Sequence, residues 1–125
     1  MSVPIGLVTG TKDQAAMFQH MGRISRDCED RGMPLIVHAY PKGELIKDDE
    51  RYSYEHISYA VRAAVECGAD VVKTWYTIDN DSFAGVVASS HGRVVVAGGA
   101  KMVIALKSII HDGNTADQAM EVLLG

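Results

Sequence analysis

The sequence predicts an α/β fold built from parallel strand–helix units in a single domain spanning residues 1–125. Three observations carry this. Apolar runs of strand length alternate with stretches of helical periodicity, the signature of βα repetition. The strand runs are apolar at consecutive positions, as a parallel sheet covered by helices requires. The length, 125 residues, suits one domain with one core.

Each element follows in order. Residues 3–9 form a short apolar strand closed by Gly10. Met17, Phe18, Met21, Ile24 and Cys28 recur at helical spacing, with Asp13 as candidate N-cap and Gly32 just past the C-terminus. Residues 34–40 (PLIVHAY) are a second strand, followed by a charged loop over 42–51. Ile57, Val61, Ala64 and Val65 mark a helix whose outer face carries Glu55, Arg62 and Glu66, and which stops at Gly68. Residues 68–77 (GADVVKTWYT) hold the third strand. Phe83, Val86 and Val87 suggest a shorter helix capped by Asp79 or Asp81. Residues 93–97 (RVVVA) form the fourth strand, closed by Gly98 and Gly99. The remainder reads as helical, with a break at 112–114 and a capping-box spacing at Thr115 and Gln118.

Composition narrows the function. The net charge of -4 argues against nucleic acid, whose phosphates call for a basic surface. No apolar stretch approaches the ~20 residues of a membrane span, and the N-terminus lacks a basic, signal-like start. Cys28 and Cys67 belong to no C-x-x-C pair, which fits a reduced, cytoplasmic setting. His20, His56, His91 and His111 show no metal-ligand spacing and read as surface or cap residues.

In a parallel α/β sheet, ligands bind beyond the C-terminal strand ends. Three ends here carry chemistry. The second strand ends at Tyr40, the third at Lys73-Thr74, and the fourth at Gly98-Gly99 with Lys101 beyond. A lysine on a central strand beside a tyrosine suits Schiff-base chemistry, because the amine attacks a carbonyl and the phenol moves protons. The period of two puts Val71 on the face of Lys73, and Val72 and Thr74 on the helix side. It also puts Ile36 and His38 on the face of Tyr40. The competing reading of Lys73 is a strand-end lysine whose stem packs while its head reaches water.

GMPLIVHAYPKG at 32–43, CGADVVKTWYT at 67–77 and VVVAGGAK at 94–101 resemble, in order and spacing, the fifth, sixth and seventh strands of the class I aldolases of the archaeal fructose-bisphosphate aldolase type. That group belongs to the deoxyribose-phosphate aldolase-like barrels, with the amino-dideoxy-heptulosonate synthases and a phosphonooxy-pentanedione thiolase. The resemblance implies a partial TIM barrel, about half of a (β/α)8 barrel. It implies that Lys73 is the Schiff-base lysine, Tyr40 the acid/base tyrosine, and Gly98, Gly99 and Lys101 the rim that holds a substrate phosphate. It implies no metal and no cofactor, a sugar-phosphate ligand such as dihydroxyacetone phosphate, and lyase activity. The alternative is a catalytically inactive fragment that binds a phosphorylated ligand or a full-length relative.

The departures are equally specific. A complete barrel needs about 250 residues and eight strands. The family's first three strands, with an active-site aspartate, are not matched, and neither is the eighth strand with its Gly-Arg-Asn phosphate turn. Residues 104–123 resemble the family's last helical segment but follow Lys101 almost directly, as if the chain were truncated at the front and deleted internally near Met102. Ile78 stands where glycine is frequent, Ala100 where proline is common, and His38 at a position usually apolar. A half-barrel leaves two sheet edges uncovered, so a homo-oligomer is expected.

Overall fold

The structure, a computed structural model, describes residues 2–97. Gly98, Gly99, Lys101, the helical readings beyond them and the 112–114 break lie outside the described residues. Four strands, β1 (Val3–Val8), β2 (Leu35–Tyr40), β3 (Val71–Thr74) and β4 (Val94–Val96), alternate with three helices, α1 (Gln14–Asp30), α2 (Tyr54–Glu66) and α3 (Asn80–Ser89). A single 3-10 turn, Asp48–Glu50, interrupts the charged loop before α2. The strands form one sheet in the order β1-β2-β3-β4, every pair parallel.

The pleat separates two faces. Leu7, Leu35, Val37, Ala39, Val72, Thr74, Val94 and Val96 are buried against the helices, joined by Met21, Ile57, Val61, Ala64, Phe83 and Val86. Each large apolar side chain fully buried in this layer contributes about 1.5–3 kcal/mol relative to exposure. The other face carries Pro4, Gly6, Ile36, His38, Tyr40, Val71, Lys73 and Val95, all half-buried or exposed. Among the described residues no helix covers it.

One device ends all three helices. The residue three past the last helical one bonds back across the final turn: Met33 N–H to Cys28 O, Ala69 N–H to Ala64 O, and Gly92 N–H to Val87 O. This is the Schellman closure, which needs a left-handed residue just before it. Gly32 and Gly68 supply it in the first two cases, and His91, with φ 54°, in the third. Asp13 sits at the N-cap position of α1 without a side-chain bond to the helix, whereas Asp79, not Asp81, caps α3 by accepting from Ser82 N–H at 2.8 Å.

The register of β2 against β3 is pinned at its start. Asp70 N–H donates to Leu35 O at 2.9 Å, and Leu35 N–H donates back to the Asp70 carboxylate at 2.8 Å. The third strand is shorter than its sequence suggests. The ladder ends where Ala97 N–H bonds Thr74 O, and residues 75–77 leave the strand.

At the C-terminal strand ends the β1 and β2 loops are strapped together. Gly43 N–H donates to Thr9 O and Leu45 N–H to Gly10 O. The Glu44 carboxylate accepts from the Lys12 N–H and the Thr11 hydroxyl, and these bonds hold its pKa below the ordinary value. A Cβ at Gly43 would collide with the Gly10 carbonyl and Thr11 N, whereas one at Gly6 would meet nothing. Gly43→Ala therefore lowers the melting temperature by about 5 °C or more. Gly6→Ala, on the open face, leaves it unchanged or slightly raised. Calorimetry on both variants checks the pair.

Candidate active site

Lys73 lies on the open face of β3. Its parallel neighbours in register are His38 on β2 and Val95 on β4, and Gly6 on β1 is the next partner of His38. The row Gly6–His38–Lys73–Val95 thus crosses the sheet at one level, with adjacent strands about 4.8 Å apart. Tyr40 stands two residues further along β2 on the same face. The parity read from the sequence holds: Val72 and Thr74 are fully buried on the helix side, and Val71 shares the side of Lys73.

Above that row, the strand ends are roofed by aromatic rings. The Tyr40 ring is tilted against Trp75 with centroids 4.7 Å apart, and Tyr52, from the loop before α2, reaches Trp75 at 5.0 Å. The Lys42 ammonium sits 5.5 Å from the Tyr40 ring centroid, within cation–π range. Arg51 donates to Lys42 O and pairs with Asp48, folding the charged loop over this end. Burial raises the pKa of Tyr40 above its ordinary 10.0, so at neutral pH its phenol is a proton donor.

Sequence reasoning assigned no site role to Trp75 or Tyr52. Aromatic residues just past a strand end were the available signal. The register that sets His38 opposite Lys73 has no local sequence signature. Lys42, the first residue of the charged loop, is exposed, yet its ammonium lies over the Tyr40 ring. Among the described residues no group of three or more His, Cys, Asp or Glu side chains could hold a metal ion, and no helix is long and apolar enough to cross a membrane. A recess of about 650 Å³ lies at the opposite end of the strands, against Cys28, Leu35 and Asp70. It is remote from Tyr40, and the chemistry of the strand ends decides the site rather than cavity size.

A sheet of consecutive parallel strands with helices on one face, and polar groups gathered at its C-terminal strand ends, defines a (β/α)-barrel type of protein over part of a barrel's length. Residues 2–122 match the DeoC/LacD family of aldolases, and the chain belongs to that family. It is 37% identical over 100 residues to 2-amino-3,7-dideoxy-D-threo-hept-6-ulosonate synthase 1 of Archaeoglobus fulgidus, a match covering 80% of this chain and 35% of the relative. To the class 1 fructose-bisphosphate aldolase of Thermoproteus tenax it is 36% identical over 86 residues, 68% of this chain and 32% of the relative. An archaeal fructose 1,6-bisphosphate aldolase crystal structure superposes with a TM-score of 0.74 at 28% identity, covering 97% of this chain and 46% of that one. A structure from a study of reaction intermediates in a Schiff-base-forming fructose-1,6-bisphosphate aldolase gives 0.70 at 26% identity, with the same coverage. The chain spans about a third of the length of the curated relatives it matches.

Because the folded state holds Tyr40 neutral to higher pH than the unfolded chain does, its contribution to stability is complete below pH 10 and is lost as pH rises through the higher folded value. A difference titration of phenolate absorbance, wild type minus Tyr40→Phe, is expected to have its midpoint above 10. A midpoint at or below 10 contradicts the burial of this ring.

Proposed function

We propose that this chain performs Schiff-base aldolase chemistry on a sugar phosphate. The observation that carries the reading is the placement of Lys73 on the open face of a central parallel strand, with Tyr40 two residues further along the adjacent strand. The amine of Lys73 attacks the ketone carbon of a ketose phosphate, and the iminium that forms accepts the electron pair of the breaking C–C bond, which leaves the enamine of a ketone such as dihydroxyacetone phosphate. Tyr40, kept protonated by burial, gives and recovers the proton at the oxygen of the aldehyde fragment. The backbone N–H groups of Gly98 and Gly99, with Lys101, hold the phosphate. No metal or cofactor is required, because the iminium supplies the electron sink. Membership of an aldolase family supports this assignment, as do relatives named as fructose-bisphosphate aldolases.

Two copies of the described four-stranded sheet supply eight strands, the number a closed barrel of this type contains. We therefore read the working form as a homo-oligomer in which β1 and β4, the edges of the described sheet, are covered by a second copy. Cytoplasmic sugar metabolism, such as glycolysis, is the matching setting. A second reading, a module that binds phosphate esters without turnover, is favoured by the share of the solved aldolases that the chain covers, 46%.

Borohydride trapping separates the two. Incubation with dihydroxyacetone phosphate and reduction is expected to leave an adduct on Lys73, mapped by mass spectrometry and absent in Lys73→Ala. Tyr40→Phe is expected to retain the adduct while aldol turnover falls about 10²-fold. Phosphate-ester binding without any Lys73 adduct selects the module. Light scattering at micromolar concentration is expected to give a dimer or larger; a monomer overturns the oligomer.

A further inference from the structure

A lysine amine must lose a proton before it attacks a carbonyl, and the carbinolamine hydroxyl must gain one before it leaves as water. Both transfers occur at the Lys73 nitrogen or at an oxygen two bonds from it. The nearest titratable side chain by register is His38, the direct parallel neighbour of Lys73 on β2 and on the same face. Its other register partner, Gly6, has no side chain, and a Cβ there would meet nothing within 4 Å. The imidazole therefore borders, on its β1 side, an open recess of about 170 Å³ lined by Pro4, Ile5, Gly6 and His38. Among the described residues the titratable groups facing His38 are Lys73 on β3 and Tyr40 further along β2; β1 offers Pro4, Gly6 and Val8, and β4 offers Val95.

We propose that His38 is a further catalytic residue, the proton carrier for imine formation at Lys73; this rests on the Schiff-base reading above. Neutral His38 takes a proton from the Lys73 ammonium and becomes imidazolium. The freed amine adds to the ketone carbon, its N–H proton passes to the former carbonyl oxygen, and a carbinolamine results. Imidazolium then protonates that hydroxyl, the C–O bond breaks, water leaves and the iminium forms. The sum is ammonium plus ketone giving iminium plus water, with His38 returned neutral. The device suits a lysine on a half-open sheet face, because it ties loss of the ammonium proton to a neighbour on the adjacent strand. Tyr40 remains the group for C–C bond chemistry, so the two proton tasks fall to two side chains one pleat apart.

The test uses dihydroxyacetone phosphate with cyanoborohydride, reading the rate at which the Lys73 adduct accumulates in the full chain. His38→Ala is expected to slow trapping about 10²-fold, to change the pH profile of the trapping rate, and to be restored by added imidazole. His38→Gln, similar in length but unable to carry a proton, is expected to be equally slow, with an unchanged circular-dichroism spectrum. Wild-type trapping rates in both variants overturn the proposal. Slow trapping that imidazole does not restore, with the wild-type pH profile intact, also overturns it and leaves His38 a packing role. Absence of a Lys73 adduct in the wild type, in contrast, overturns the Schiff-base reading itself.

Discussion

The paired bonds between Asp70 and the Leu35 backbone are the constraint on which the site depends. They fix where β3 starts against β2. A parallel ladder then propagates that choice without freedom: Ile36 meets Val71, Val37 meets Val72 and His38 meets Lys73. A slip of one residue would turn Lys73 and Tyr40 to opposite faces and drive the ammonium into the apolar layer beneath α2. Asp70 lies at the far end of the strands from the chemistry, yet it determines which side chains meet there. The Schellman closure at Gly68 delivers Asp70 to that place, so a backbone bond at a helix end, a carboxylate and a strand register form one sequence of causes.

The alternation of apolar runs with helical periodicity made the succession of strands and helices and the buried face readable in the sequence. Val72 and Thr74 inside and Lys73 outside follow from a period of two, and the structure agrees. Strand ends were less legible. Residues 75–77 have strand-forming side chains, but the last ladder bond runs from Ala97 N–H to Thr74 O, and the Trp75 ring beyond it lies against Tyr40 and Tyr52. The crossing of Gly43 over Gly10 is a long-range contact, and nothing local to either glycine announces it. Capping chemistry was half legible: Asp79 acts as a cap should, while Asp13 occupies its position without using its carboxylate.

The site residues divide in the same way. Lys73 and Tyr40 could be named from strand-end position, and their common face follows from the pleat and the register. His38 carried a weak signal, a polar residue in a run otherwise apolar, and only the register turns that oddity into a neighbour of the lysine. Family membership raises the weight of the lysine and the tyrosine, but it leaves His38 to be argued from geometry alone.

The roof over Tyr40 has an optical consequence. Trp75 is the single tryptophan of the chain, and it lies half-buried against two tyrosine rings at the mouth of the proposed site, at the margin of the core. Every indole photon the protein emits therefore originates beside the place where a ligand would sit. Intrinsic fluorescence is thus a local sensor, one that responds to occupancy or to loosening of the β2–α2 loop even while the helices behind the sheet stay folded.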